Sequence, residues 1–183
     1  MNRIILSFFA ATLFSLVNQP ALAQGVLPDS IDIEYARIDT ISLKLDVYLP
    51  KNATPPYPVI VWIHGGGWLA GSKENARAAF MVNFGYAVVS INYRFSPQAI
   101  FPAQIYDCKA AVRWIRANAN QYNFDPERLG AWGLSAGAHL VSLLGTAADV
   151  DSLEGDVGSN SQFSSRVQAV CDWYGPSNFP TLL

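Results

Sequence analysis

The chain has 183 residues, 51% hydrophobic and 14% charged, with a formal net charge of −2. That length supports one domain with a real apolar core, and the balance excludes a disordered chain. Mild acidity without a Lys/Arg cluster argues against a nucleic-acid partner.

The first stretch, MNRIILSFFAATLFSLVNQPALAQ, places Arg3 before an apolar run from Ile4 to Val17, then polar Asn18-Gln19-Pro20 and the small-residue site Ala21-Leu22-Ala23. This layout predicts a secretory leader over residues 1–23, cut after Ala23. The run is shorter than the ~20 residues needed to cross a bilayer. The expected product is secreted or periplasmic and free of the membrane. It is a single unit over residues 24–183. Cys108 and Cys171 lie in apolar segments without metal-ligand spacing, and are expected as buried free thiols.

Ile31–Ile38 and Ile41–Tyr48 read as strands, the second with Ile41, Leu43, Leu45 and Val47 on one face. The proline-dense stretch PKNATPPYP, residues 50–58, reads as a turn. Val59–Ile63, Tyr86–Ile91, Arg128–Trp132 and Val167–Trp173 are continuous apolar runs, as expected of strands buried on both faces. Between them, helices are predicted over Lys73–Phe84, capped by Ser72, over Pro102–Asn120 and over Ala136–Thr146. The Ser/Gly/Asp-rich stretch Ala147–Ser165 reads as a loop. Strand and helix alternating from Val59 onward predict an α/β fold. Its sheet is mostly parallel, with an antiparallel start and helices on both faces.

Two motifs carry chemistry. Gly133-Leu134-Ser135-Ala136-Gly137 follows a strand and opens a helix. A sharp turn there lifts a serine hydroxyl clear of the backbone, and glycines two residues either side relieve the crowding. The pentapeptide alone arises by chance in about one chain of this length in fifteen or twenty. The second motif, VIVWIHGGGW over 59–68, ends a buried strand in His64-Gly65-Gly66-Gly67. Three consecutive glycines suit a loop whose amides turn toward a ligand. The two motifs, in this order, are the halves of one device for acyl transfer.

With HGGGW (64–68), NYRFSP (92–97), FPAQIYDCKAAVRWIRANA (101–119), FDPERLGAWGLSAGAHL (124–140) and VCDWYGPSNF (170–179), the chain resembles the hormone-sensitive-lipase and acetyl-esterase branch of the α/β-hydrolases. The resemblance implies Ser135 as nucleophile and the amides of Gly66, Gly67 and Ala136 as an oxyanion hole. It also implies His64 and Gly65 as support of that loop, and Trp68 as part of the acyl pocket. Leu134 stands where many lipase-like members carry aspartate, which is more like secreted polysaccharide esterases that remove acetyl or feruloyl groups. The substrate implied is a small ester or an acylated polysaccharide. No metal, nucleotide or flavin site is apparent. Trp68, Tyr93 and Trp173 are possible glycan contacts, although aromatic residues at strand ends more often belong to core or rim.

The proton acceptor is missing. His64 belongs to the glycine loop, and His139 lies one turn into the helix after the serine, where packing is the expected role. Asp149, Asp151, Glu154 and Asp156 come too early for the family's acid, and Asp172 reads as a loop cap. Six strands are expected where the family has eight. The chain therefore reads as the N-terminal part of an incomplete α/β-hydrolase fold, lacking the triad acid and histidine. The alternatives are an inactive remnant or binding module, or a lipase, peptidase or amidase on the same scaffold.

Overall fold

Alternation within the central strands decides which side chains meet which helix. In the computed structural model, which describes residues 25–181, the strands are β1 (Ser30–Ile38), β2 (Ile41–Tyr48), β3 (Tyr57–Ile63), β4 (Ala87–Ile91), β5 (Phe124–Leu134) and β6 (Ala169–Trp173). The helices are α1 (Ala103–Ala117), α2 (Ala119–Tyr122) and α3 (Ala136–Thr146). The leader expected over residues 1–23 lies outside the described residues. Among those described, no helix is long and apolar enough to cross a membrane.

The six strands form one sheet in the order β1-β2-β4-β3-β5-β6. β1, β2 and β4 pair antiparallel, and β4, β3, β5 and β6 run parallel. Val59, Val61 and Ile63 of β3 share one face with Val89, Ile91, Leu129 and Ala131, under Ile105, Cys108 and Val112 of α1 and Leu140, Val141 and Leu144 of α3. Ile60 and Trp62 point the other way, to Val88, Ala79 and Val82. Residues on successive strand positions face opposite sides, so both faces of β3 are apolar and both are covered.

The helix expected over Lys73–Phe84 is the main departure. Only Ala79–Phe84 is helical, as a 3-10 segment ending at Gly85 in the left-handed conformation, and turns precede it. The reason is competition for carbonyls. The Lys73 carbonyl accepts from Ser90 Oγ at 2.5 Å, and the Asn75 carbonyl accepts from the Trp62 indole at 2.8 Å. The Asn75 carbonyl also accepts from the Arg77 amide at 2.9 Å, so both its lone pairs are taken and none is left for an amide four residues on, as a helix requires. Ser72 Oγ accepts the Glu74 amide at 3.2 Å, so it closes a local turn rather than capping a helix.

That segment is anchored by charge. Lys73 is 4% exposed, and its Nζ lies 2.8 Å from Asp46 Oδ1 and 3.0 Å from Asp32 Oδ1. The Lys73 amide donates to Asn92 Oδ1 at 2.8 Å. A second anchor holds the long loop after α3. Glu154 bonds Lys109 Nζ at 2.7 Å, Arg113 Nη1 at 2.6 Å and Ser165 Oγ at 2.9 Å. This assigns Glu154 to structure. The loop holds a 3-10 turn at Asp151–Leu153 and reaches β6 two residues later than expected.

Both cysteines are free, and Cys108 is buried as expected. Cys171 is exposed, which corrects the expectation for it. It sits on β6, an edge strand whose five residues are all exposed, so an apolar sequence neighbourhood does not give burial there. Val170 and Trp173 present apolar surface at the same edge.

Replacing Lys73 with Met strands the Asp46 carboxylate, itself 3% exposed. The expected loss is about 3–5 kcal/mol, measured by urea denaturation. The double variant Lys73→Met with Asp46→Leu should recover most of it.

Candidate active site

β3 and β5 are parallel neighbours, with Ile63 opposite Gly133, so the segments that follow them emerge at one edge of the sheet. Past Leu134 the chain turns sharply. Ser135 has φ 52° and ψ −121°, a conformation only glycine adopts without strain, and α3 begins at the next residue. A Cβ on Gly133 would lie 2.4 Å from the Gly137 carbonyl oxygen, and one on Gly137 would lie 2.2 Å from that of Ile63. No side chain fits at either position. The glycines let the elbow close and let α3 cross directly over the end of β3.

The glycine loop meets the serine from the other side. A Cβ on Gly65 would stand 3.2 Å from Ser135 Cβ and 2.8 Å from the Leu134 carbonyl oxygen. Gly66, Gly67 and Trp68 then follow in positive-φ conformations, at 124°, 61° and 59°. On Gly66 a Cβ would collide with the Ala70 carbonyl at 2.0 Å, whereas Gly67 faces open space.

Each nominated amide belongs to a rigid peptide plane, and holding that plane's carbonyl aims its N–H. The Gly66 amide shares a plane with the Gly65 carbonyl, which accepts from His64 Nδ1 at 2.8 Å. The Gly67 amide shares one with the Gly66 carbonyl, which accepts from the Leu69 and Ala70 amides at 3.0 and 3.1 Å. The Ala136 amide is paired with the Ser135 carbonyl, which accepts from the His139 amide at 3.1 Å. Among the described residues these three amides have no hydrogen-bond acceptor of their own. The Ser135 amide, by contrast, is used on the Trp173 carbonyl of β6 at 2.9 Å.

His64 is 1% exposed and stacks on Tyr93 with ring centroids 4.6 Å apart. The Tyr93 hydroxyl donates to the His64 carbonyl at 3.1 Å, fixing the plane that carries the Gly65 amide. Because Nδ1 faces a carbonyl it carries the proton, leaving Nε2 as a bare acceptor, buried without a partner. Burial pushes the His64 imidazole below its ordinary value, against the bond to Gly65. Tyr93 is itself 3% exposed, so it holds the loop and offers no face to a glycan.

The His139 ring makes no hydrogen bond to the Ser135 hydroxyl. It meets Trp68 edge-on at 5.4 Å and Phe179 at 5.0 Å, with Nδ1 buried and unpartnered. Burial lowers its pKa too, opposed by the Asp172 charge. Asp172 caps a loop, accepting the Gly175 amide at 2.7 Å and Ser142 Oγ at 2.6 Å. Trp68, His139, Phe179, Phe101, Ser96 and Gln104 enclose a cavity of about 380 Å³. The sequence nominated only Trp68 as a pocket residue. Gln104 carried a readable signal, since it precedes Cys108, Ala111 and Ile115 at helical steps and so puts an amide on the buried face of α1.

Gly137→Ala should cost ~3 kcal/mol through overpacking against β3, while Gly67→Ala should cost only ~1–2 kcal/mol for its left-handed backbone; thermal denaturation separates them. Both histidines have folded pKa values below the unfolded ~6.5. Their contribution to stability is therefore present above pH ~6.5 and lost as pH falls through the folded values, because the unfolded chain binds the extra protons. Melting temperature should drop between pH 7 and pH 5, and His64→Gln should flatten the drop.

The BD-FAE family model matches residues 45–183. Among solved structures, a truncated form of a carbohydrate esterase from gut microbiota superposes with a TM-score of 0.74 at 39% identity, over 80% of this chain and 56% of that one. A bifunctional GH43-CE protein of Bacteroides eggerthii gives a TM-score of 0.73 at 46% identity, over 80% of this chain and 21% of that one. Esterase LipQ of Mycobacterium tuberculosis is 36% identical over 136 residues, 72% of this chain and 32% of its own length. The chain thus spans about a third of the curated relatives it matches. With the family model covering most of its length, the chain belongs to the BD-FAE family of hormone-sensitive-lipase-like α/β-hydrolases.

Proposed function

We propose that this chain supplies the nucleophile and the oxyanion cradle of a secreted serine carboxylesterase acting on acylated polysaccharide, with acetyl or feruloyl as the acyl group. The observation that supports the reading is the close approach of Gly65 to Ser135, a serine on a strained turn, with the amides of Gly66, Gly67 and Ala136 left without acceptors among the described residues. Relatives named as esterases and a carbohydrate esterase of the same fold support it.

Ser135 Oγ attacks the ester carbonyl as its proton passes to a base. The oxyanion that forms accepts from the amides of Gly66, Gly67 and Ala136, which are held by their partner carbonyls before substrate arrives and need no reorganisation. Collapse breaks the bond to the alcohol oxygen, which leaves with the proton, and the acyl group stays on Ser135. Water, deprotonated by the same base, then releases the acid and restores the hydroxyl. The base is neither His64, committed to Gly65, nor His139, held between Trp68 and Phe179. We assign it, with its acid, to polypeptide outside these 183 residues, and read the chain by itself as inactive.

Reading the coding sequence past codon 183 should show an aspartate or glutamate and then a histidine in frame. The enzyme so extended should hydrolyse 4-nitrophenyl acetate, and Ser135→Ala should lower turnover by about 10⁶-fold. The 183-residue chain should match its own Ser135→Ala variant. Ser135-dependent turnover by that chain would transfer the base to His139 and overturn the assignment.

A further inference from the structure

A second cleft, of about 670 Å³, lies where β1, α1 and the loop over 156–160 meet. Its size falls within the ~300–1,000 Å³ of sites for small organic ligands. The loop that forms one wall is pinned. Arg113 Nη2 donates to the Val157 carbonyl at 3.2 Å, and a Cβ on Gly158 would stand 3.5 Å from that of Ala36 on β1. Trp114 in this cleft and Gln104 in the cavity beside the elbow are ten positions apart on α1. At ~1.5 Å per residue the two spaces are roughly 15 Å apart along the helix.

Trp114 is 8% exposed, yet its indole N–H donates to no acceptor among the described residues. It is not shut off from solvent as the Trp132 indole N–H is. A buried indole N–H ordinarily has a partner, so this one is open to a ligand. One turn on, Asn118 Nδ2 donates to the Trp114 carbonyl at 2.9 Å, which orients the amide and leaves Oδ1 as an acceptor. Asp156, Ser159 and Asn160 add side chains that bond nothing among the described residues. The other polar groups of the lining are already engaged: Arg37 with Glu34, and the Tyr35 hydroxyl with the Asn92 carbonyl. The cleft therefore offers both donors and acceptors, with Asp156 as its one uncompensated charge.

That set selects against other ligands. An anion would meet Asp156 with no cation to spare. Among the described residues no three His, Cys, Asp or Glu side chains could hold a metal. A peptide strand would need an even ladder, and β1 slips register between Glu34 and Ala36. A sugar hydroxyl both donates and accepts, so adjacent hydroxyls satisfy the indole N–H and Asn118 Oδ1 together. We propose that this cleft is a second, glycan-binding site, in which Trp114 and Asn118 hold a neutral oligosaccharide. The assignment rests on the reading of the chain as an esterase of acylated polysaccharide, whose polymer lies along α1 and is held here while an acyl group on it reaches Ser135.

The test is calorimetry of the full chain with xylohexaose, a neutral oligosaccharide that carries no acyl group for the cavity beside the elbow. Saturable binding is expected at millimolar sugar or below. Trp114→Phe keeps a ring and removes the N–H, and should weaken binding about tenfold, the worth of one hydrogen bond. Trp114 also packs on Tyr122 and into the core, so a second variant is placed on the exposed loop. Ser159→Trp fills the cleft there and should abolish binding. No saturable binding by the unaltered chain, unchanged affinity in either variant, or equal binding of hexaglycine would each overturn the assignment. Ser135→Ala should bind xylohexaose as the unaltered chain does, so none of these results depends on catalysis. The esterase reading fails separately, if Ser135 proves dispensable in the extended enzyme.

Discussion

The site depends on backbone meeting backbone where a side chain would keep them apart. Gly137 brings the first turn of α3 against the last carbonyls of β3, and Gly133 lets the elbow fold over Gly137. Gly65 then lies against Ser135. Helix, strand end and loop are thereby locked at distances below ordinary side-chain packing. Ser135 sits where they converge, its strained backbone held by the Trp173 carbonyl on one side and the His139 amide on the other. Strain of order 1–3 kcal/mol at one residue persists only because the surroundings over-determine it.

Support for the glycine loop comes from the segment after β4. Tyr93 bonds and stacks on His64, the Ser96 amide donates to the Trp68 carbonyl at 2.8 Å, and Asn92 receives the Lys73 amide. That segment is itself clamped to α1, because Arg94 makes a two-toothed contact with Asp107, which is fully buried. Burial alone would push the Asp107 carboxyl up, and the guanidinium works against this. The cradle is therefore tied through two layers of hydrogen bonds to the helix that also carries Gln104. The wall of the cavity and the amides of the glycine loop share one scaffold.

Much of this was legible in the residues. Periodicity placed all six strands and both long helices, since each carries a run of apolar residues at its own period, even β6, which stays exposed at the sheet edge. The two glycine motifs marked the elbow and the loop, because glycine is required there for steric reasons that any sequence must obey. The Lys73–Phe84 region was misread as a helix because the residues that capture its carbonyls, Trp62 and Ser90, are distant in sequence. Cys171 was expected inside because a parallel strand is usually covered on both faces, whereas here it forms the sheet edge. The aromatic cavity assembles from four separate segments, so of its lining only Trp68 was nominated from the sequence, and the polar Gln104 on an apolar helix face was the one further hint.

On the second face of the sheet, Trp62, Trp132 and Trp173 occupy three adjacent strands and meet edge to face, with centroids 6.0, 6.4 and 4.8 Å apart. Their wetting is graded, from Trp62 at 0% exposure, through Trp132, to Trp173 at 38% at the open edge. Three coupled indoles in a polarity gradient make this face its own optical probe. Anything that settles there excludes solvent from the outermost ring first, so its near-ultraviolet dichroism and emission wavelength register the covering of the sheet without an added label.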